Sequence, residues 1–409
     1  MLNIIGLGYI GLPTALIFAA RGIEVVGTDY NETLISKLKK GELTFEEKGL
    51  AELFNEAQQK GIEFTTDYLK TNMYIITVPT PYDKVTKKID PAYLIAAVNS
   101  ILEVCENDSI IIIESTVSPG TIDKFIRPII SEFINQTNQT IHLVHAPERI
   151  IPGDMVYELA NNSRTIGADS YEVGEKVAQL YQNITSGEIV ITDIKTAEMT
   201  KVVENTYRAI NIAFANELAK IADYDDMDVY EIIRISNMHP RVNILSPGPG
   251  VGGHCIPVDP WFLVGDYPLL TPLIKEALDI NESMPAFVLK KVSQIMKEKN
   301  LNDFTKVGLY GLTYKANVDD VRESPTLQIL ELQEKFLAHP LKTYDPWVKE
   351  QVAVNQYFDF AEFLNGVELV VIMVKHDHIK ESLEHLKGKI IFDTQNTIPA
   401  SDDYILYKL

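Results

Sequence analysis

Apolar residues in the first third of the chain fall in short runs closed by turns, at 2–6, 24–28, 73–78, 109–114 and 141–145. The runs are continuous rather than alternating, which predicts strands buried on both faces. A helical stretch at 12–21 lies between the first two. Strands alternating with helices predict a parallel sheet covered on both sides. From about residue 196 the period changes. Met199, Val202, Val203, Ile210, Phe214, Leu218 and Ile221 recur at helical spacing without a strong breaker, so a long helix is predicted over 196–224. More helix is predicted over 229–237 and 273–299, and the Gly- and Pro-rich stretch 239–266 is expected to be loop. Strand candidates return at 307–311, 341–344, 369–374 and 389–392. The fold expected is α/β: two Rossmann-like doubly wound domains (1–193 and 301–409) joined by a helical central domain (194–300) with a long helix. The two α/β halves share no obvious sequence repeat.

A chain of 409 residues exceeds one ordinary core, in keeping with several domains. No apolar run is long enough to span a bilayer. The chain opens directly with Leu2-Asn3-Ile4-Ile5, with no basic stretch before an apolar one, so a cytoplasmic location is expected. A net charge of −20 makes nucleic acid and anionic membrane poor partners. It leaves room for an anionic small substrate, since a few Lys and Arg residues can hold one phosphate. Two cysteines cannot build a disulfide framework and fit a reducing compartment.

Gly6-Leu7-Gly8-Tyr9-Ile10-Gly11 is a GxGxxG run that follows a predicted strand and opens a predicted helix. That context turns a weak pattern into a dinucleotide fingerprint. Gly8, Tyr9, Ile10 and Gly11 are expected to bind the cofactor, with the helix N-terminus facing its phosphates. Asp29 ends the second strand, where a carboxylate accepts from both ribose hydroxyls and repels a 2′-phosphate; no Arg follows closely. The expected cofactor is NAD.

Cys255 closes the run Gly248-Pro249-Gly250-Val251-Gly252-Gly253-His254-Cys255. So much glycine costs folding entropy and suggests that something approaches the backbone closely. A thiolate there can attack an aldehyde, and Asp259 can orient a base or water. A turn with a bystander cysteine fits the spacing equally well. Lys201 and Asn205 share one helix face and can stabilise an oxyanion, although a solvated Lys and Asn suit the spacing better. Cys105 reads as a small packed residue near a helix end. His376 and His378 read as a solvated loop, and the acidic run 223–228 as a solvated turn. The eight histidines make no metal-ligand spacing, and no metal is expected.

These segments resemble the UDP-glucose/GDP-mannose dehydrogenase family over essentially the whole chain. The resemblance is carried by Gly6–Gly11, Val78-Pro79-Thr80-Pro81, Glu114-Ser115-Thr116, Pro147-Glu148-Arg149, residues 196–217, Gly250–Cys255 and residues 315–325. Within the family, His239-Pro240-Arg241-Val242-Asn243 and Val258-Asp259-Pro260-Trp261-Phe262 are most similar to the branch acting on UDP-N-acetyl-D-mannosamine. The Phe-x-Lys-Asp usual after the cysteine in the UDP-glucose branch is missing.

The resemblance implies a four-electron oxidation of a nucleotide sugar at its C6 carbon, with two NAD and a thiohemiacetal and thioester on Cys255. It implies Lys201 and Asn205 at the reacting oxygen, Asp259 on a water or proton relay, Glu148 as base for the hydrolytic water and Thr116 near that water. Pro79 and Thr80 are implied at the nicotinamide, and Arg322 at the NAD pyrophosphate. Arg149, Gly252 and Lys315 are implied at the substrate. Arg241 is implied to enter the neighbouring subunit's site, hence a homodimer. The product is implied to be a uronic acid for a capsule, cell-wall polymer or other surface polysaccharide. Two positions depart from the pattern. Relatives often carry Arg or Lys where this chain has Gln395 and Asp154.

Three alternatives remain at this level. The first is a 6-dehydrogenase of UDP-N-acetylglucosamine, UDP-glucose or GDP-mannose. The second is a one-step hydroxyacid-type dehydrogenase with Cys255 structural, which the glycine–cysteine run and the second α/β domain disfavour. The third is an NAD-sensing protein without chemistry, which the joint presence of Lys201, Asn205, Cys255 and Asp259 disfavours.

Overall fold

The computed structural model describes residues 1–334 and 341–409. It divides into two compact units, Met1–Glu204 and Asn205–Leu409.

Among the described residues, the first unit holds one sheet built from β1 (Leu2–Ile5), β2 (Val25–Thr28), β3 (Glu63–Thr65), β4 (Met73–Ile76), β5 (Ser109–Ile113), β6 (Ile141–His145), β7 (Arg164–Ala168) and β8 (Ile189–Thr192). The order is β3-β2-β1-β4-β5-β6-β7-β8. β1 to β6 are parallel, and the winding reverses between β1 and β4. The unbroken apolar runs have a plain cause. On β5, Ile110 and Ile112 enter one core and Ile111 and Ile113 the other. Each buried side chain contributes about 1.5–3 kcal/mol.

The expectation of a wholly parallel sheet needs correction. β7 runs antiparallel to β6, and β8 is parallel to β7. Both sit toward the sheet edge; β7 lacks the continuous apolar run that marks the inner strands, and β8, with the short run Ile189-Val190-Ile191, is only partly buried.

The second unit builds its sheet from β9 (Val307–Tyr310), β10 (Lys342–Tyr344), β11 (Gln356–Tyr357), β12 (Leu369–Ile372), β13 (Ile390–Asp393) and β14 (Ile405–Lys408). The order is β11-β10-β9-β12-β13-β14, all parallel. This is the doubly wound Rossmann order, with its switch point between β9 and β12. Val370 and Ile372 face one core, and Leu369 and Val371 the other.

The long helix is Ile194–Tyr224, and its residues pass from one unit to the other. Val229–Ser236 follows, capped by the Asp228 carboxylate. The acidic turn between them is largely exposed, as expected. The predicted helix over 273–299 is two helices, Pro272–Glu282 and Met284–Glu298. Pro285 lacks an N–H and so starts a helix more readily than it continues one. The stretch 239–266 is not all loop: Asp259–Asp266 is helical, with Pro260 in its first turn. The surrounding Gly and Pro density hid it. Among the described residues, no helix is long and apolar enough to cross a membrane.

Candidate active site

The fingerprint lies where β1 gives way to the helix Gly11–Ala20. A Cβ on Gly11 would stand 1.8 Å from the Gly6 carbonyl oxygen and 2.2 Å from Thr77 Oγ1, so only glycine lets the helix come this close. At Gly8 an added Cβ meets nothing within 4 Å. The open space over that peptide, at a helix N-terminus, suits a pyrophosphate. Asp29 is half-buried just past β2. Its Oδ2 accepts from the Leu7 N–H at 2.8 Å and its Oδ1 from the Asn31 N–H at 2.9 Å. These bonds fix the carboxylate at the carboxyl edge of the sheet and leave lone pairs for ribose hydroxyls. The residues present therefore fit a dinucleotide. The Tyr9 ring packs on that of Phe45, tilted by 31° with centroids 4.4 Å apart. The Thr80 hydroxyl donates to the Thr116 carbonyl at 2.6 Å, tying together the segments after β4 and β5, while Pro79 is exposed.

Glu148 follows β6 and is buried. Its Oε1 accepts from the N–H groups of Arg149 (2.6 Å) and Ile150 (3.1 Å), and its Oε2 accepts from Arg164. The same guanidinium reaches Glu114 at 3.3 Å, and its carbon lies 4.4 Å from the Tyr181 ring centroid. The Tyr181 hydroxyl donates to Glu114 at 2.5 Å. Burial pushes the Glu114 carboxyl up to about 7, against the pull of Arg164. Arg149 turns its guanidinium to Glu204 at 2.6 Å and to Ser163 Oγ at 2.8 Å.

Lys201 and Asn205 are 6% and 7% exposed, which overturns the reading of a solvated pair. Among the described residues, Lys201 makes no ion pair. A buried ammonium without a counter-charge is costly, and an anion or developing oxyanion beside it would offset that cost.

In the second unit, Asn205 Nδ2 donates to Asp259 Oδ2 at 2.7 Å in a buried contact. Asp259 heads the helix Asp259–Asp266, and its N–H donates to the Cys255 carbonyl at 2.8 Å. Cys255 is partly buried and not in a disulfide. The glycine run is needed for close approach, as expected, but what approaches is the chain itself. A Cβ on Gly252 would fall 2.6 Å from Tyr314 Cβ and 2.7 Å from the Glu323 carbonyl oxygen. The Gly253 N–H donates to the Arg322 carbonyl at 2.9 Å. The cysteine loop is thus seated on the segment that carries Lys315 and Arg322. Arg322 Nε donates to Asp320 at 2.9 Å, and Lys315 lends its carbonyl to Thr313 at 2.9 Å. Arg241 is exposed. Gln395 donates from Nε2 to the Met373 carbonyl at 2.9 Å. Asp154 is exposed before the helix Met155–Asn161, and Glu47 accepts that helix's Met155 N–H at 3.2 Å.

One expectation fails outright. His376 is not solvated but fully buried. Its Nε2 bonds Asp345 at 3.1 Å, and its Nδ1 accepts the Asn317 N–H at 2.9 Å. A lone imidazole read as polar found a buried carboxylate 31 positions away. His378 is partly buried and stacks on Tyr310 at 6.0 Å. Cys105 is the packed residue expected, at the end of the helix Ala92–Val104, with burial raising its thiol.

Three family models match the chain in succession. They describe the NAD binding domain (residues 1–185), the central domain (195–283) and the UDP binding domain (308–400) of the UDP-glucose/GDP-mannose dehydrogenase family. The chain belongs to that family. It is an NAD-dependent dehydrogenase. A UDP-N-acetyl-D-mannosamine dehydrogenase of Methanocaldococcus jannaschii is 41% identical to it, over 97% of this chain and 92% of the relative. The solved UDP-N-acetyl-mannosamine dehydrogenase of Staphylococcus aureus superposes with a TM-score of 0.89 at 39% identity, over 100% of this chain and 97% of that one. A UDP-glucose dehydrogenase structure from Pyrobaculum islandicum reaches 0.86 at 25% identity, over 99% and 96%.

Within this dehydrogenase the fold brings Glu148 together with two groups that the sequence did not single out in that role, Arg164 and Tyr181. The missing signal is β7. Its antiparallel course delivers its first residue, Arg164, to the carboxyl edge of β5 and β6. Asn162-Ser163-Arg164-Thr165 carries too little apolar pattern to announce a strand.

Proposed function

We propose that the protein oxidises UDP-N-acetyl-D-mannosamine at its C6 carbon to UDP-N-acetyl-D-mannosaminuronate, in two hydride steps with Cys255 as covalent nucleophile. Supporting this are the substrate named for the 41% and 39% identical relatives and the buried Asn205–Asp259 pair four residues past Cys255. The single observation that carries the mechanism is the buried Lys201 side chain, which makes no ion pair among the described residues, one helical turn from Asn205.

When bound, NAD accepts a hydride in each oxidation. The Gly6–Gly11 turn, Asp29, Pro79, Thr80 and Arg322 are the residues we assign to holding it. Lys201 stabilises the alkoxide of the sugar alcohol, and Asn205 donates to the same oxygen. The Cys255 thiolate adds to the aldehyde carbon, so that no free aldehyde escapes. After the second oxidation a water adds to the thioester, the carbon–sulfur bond breaks and Cys255 is regenerated. Glu148 takes the proton of that water, with Thr116 beside it, and Asp259 holds the Asn205 amide in position. Arg149, Gly252 and Lys315 belong to the sugar-nucleotide side. The reaction is assigned to the cytoplasm.

We further assign a homodimer. The long helix leaves Val203, Tyr207, Phe214 and Ile221 exposed at intervals that keep them on one stripe, an apolar face suited to a second copy. Arg241, exposed nearby in sequence, is the residue assigned to the partner's site.

The test is NADH formed per mole of UDP-N-acetyl-D-mannosamine consumed, for the wild type and Cys255→Ala. Two NADH per sugar, with the second lost in the variant, is the expected result. One NADH from both proteins would reduce Cys255 to a structural residue and leave a one-step dehydrogenase. Turnover only with UDP-N-acetylglucosamine or UDP-glucose would move the substrate to that sugar, with Gln395 as the first position to examine.

A further inference from the structure

Glu148 and the three buried groups behind it form an unusual arrangement. One guanidinium, Arg164, is shared between two carboxylates, Glu114 through Nη1 and Glu148 through Nη2. Tyr181 covers its face and donates to Glu114. All four residues are at most 7% exposed. Burying such a triad is costly and often adds nothing to stability. Its position, at the ends of β5 and β6 and the start of β7, is the edge where doubly wound sheets hold ligands.

We propose that Glu114, acting through Arg164, is a positioning residue that sets how strongly the Glu148 carboxylate draws a proton from the hydrolytic water. The inference rests on the reading of Glu148 as the base for that water.

The reasoning follows the sharing of one positive charge. When Glu114 is protonated, the whole field of Arg164 falls on Glu148, which is also held by two backbone N–H groups. Those bonds occupy the lone pairs that a water proton would need. When Glu114 ionises, it competes for the guanidinium and adds a like charge, so that Arg164 holds the Glu148 carboxylate less tightly. Burial holds the Glu114 carboxyl near neutrality, so the change falls in the working range. The other group facing it is Tyr181, which stays a neutral donor; His145 on β6, bonded to the neighbouring Ile113 carbonyl, is kept uncharged at an ordinary pH by burial. In the step itself, a water proton passes to Glu148 and the water oxygen bonds to the acyl carbon. The carbon–sulfur bond breaks, with its electron pair remaining on Cys255. No oxidant is consumed.

The experiment mixes the full chain with NAD and UDP-N-acetyl-D-mannosamine, quenches at intervals, and follows the acyl-Cys255 species by intact-protein mass spectrometry across the neutral range. The first NADH burst reports separately that the active fold is retained. In the wild type, loss of the acyl group is expected to quicken about fivefold as pH rises through the ionisation of Glu114. Glu114→Gln should lose that rise and stay at the slow, low-pH level. Tyr181→Phe removes a donor that favours ionised Glu114, so its rise should move to higher pH; this milder variant carries the test if Glu114→Gln gives no burst. A wild-type pH profile in both variants overturns the inference. Glu148→Gln separates the two readings. If it accumulates the acyl-enzyme while Glu114→Gln keeps the wild-type profile, only the inference falls. If it releases product at the wild-type rate, Glu148 is not the base and both fall.

Discussion

In the first unit β1 passes through Gly6 (φ 91°) to Leu7, whose N–H donates to Asp29 at 2.8 Å. In the second, β9 passes through Gly311 (φ 99°) to Leu312, whose N–H donates to Asp345 at 2.6 Å. A threonine hydroxyl closes each turn, Thr77 on the Gly6 carbonyl at 2.6 Å and Thr326 on the Gly311 carbonyl at 2.7 Å. After that the two turns part. The first runs straight into a helix at Gly11, with open space over Gly8 and a half-buried Asp29. The second does not reach its helix until Pro325, and Asp345 is buried. Thr313 N–H, Trp347 N–H, Val348 N–H and His376 join Leu312 on its carboxylate. Two turns of the same design thus serve different ends. One leaves its acid free to meet a ligand; the other spends its acid holding the segment from Thr313 to Asn317 in place. A shared fold does not imply a shared ligand site.

The largest effect should come from Asp345→Asn. Turning an acceptor-only group into one with an amide donor sets an N–H against several converging donors, at a cost of about 3–5 kcal/mol to the second unit. Both tryptophans, Trp261 and Trp347, lie in that unit, so denaturant unfolding followed by tryptophan fluorescence reads the loss. NAD affinity should hold within about twofold; a parallel loss of NAD binding would break the comparison.

Asp29→Asn should do the reverse. Calorimetry should find NAD bound about tenfold more weakly, while the unfolding midpoint barely moves. An equal loss of stability would mean that Asp29 is as structural as Asp345.

The smallest effect concerns pH. Burial raises Glu114 to about 7 and Glu198 to about 6, both in the first unit. Each binds its proton more tightly folded than unfolded, where glutamate titrates near ~4.3. Their contribution is therefore whole below that value and is lost as pH rises through about 6 and about 7. Asp345 has the opposite sign. Burial pushes it up, but His376 and the backbone N–H groups outweigh this and hold it below the usual range. Its contribution is whole above ~3.9 and is lost only in acid. His145, which burial holds down to about 4, works in the opposite sense over the same window and offsets part of this, while His378 in the second unit, also lowered by burial, makes that unit firmer as pH rises. Hydrogen exchange, corrected for intrinsic rates, should show the first unit opening about tenfold more often at pH ~8 than at pH ~5, with no such rise in the second. Equal slopes in the two units would remove this difference between them.

Much of this was legible in the chain. Inner strands announce themselves because both faces are buried, as at Ile110 to Ile113. The fingerprint, the acid at Asp29 and the long helix are all local patterns. β3, β7, β8, β11 and β14 were not legible: β3, β7 and β11 carry little apolar pattern, and the apolar runs of β8 and β14 are short and only partly buried. The helix at Asp259 was masked by its Gly and Pro neighbours. Lys201 and Asn205 gave only a helical spacing, and their burial depends on what packs over them.

The sequence by itself determined the period of each element, the turn that admits a dinucleotide, and the motifs that carry the family. Those signals lie within one strand–turn–helix unit, where spacing and residue type fix the backbone. Tertiary structure alone decided that Arg164 bridges Glu114 and Glu148, that His376 is buried on Asp345, and that Tyr314 packs closely against Gly252. The partners in each case are far apart in the chain, 50 positions for Arg164 and Glu114. Whether a charged side chain is solvated or buried is set by the group that meets it, and only the folded chain brings that group within hydrogen-bonding distance.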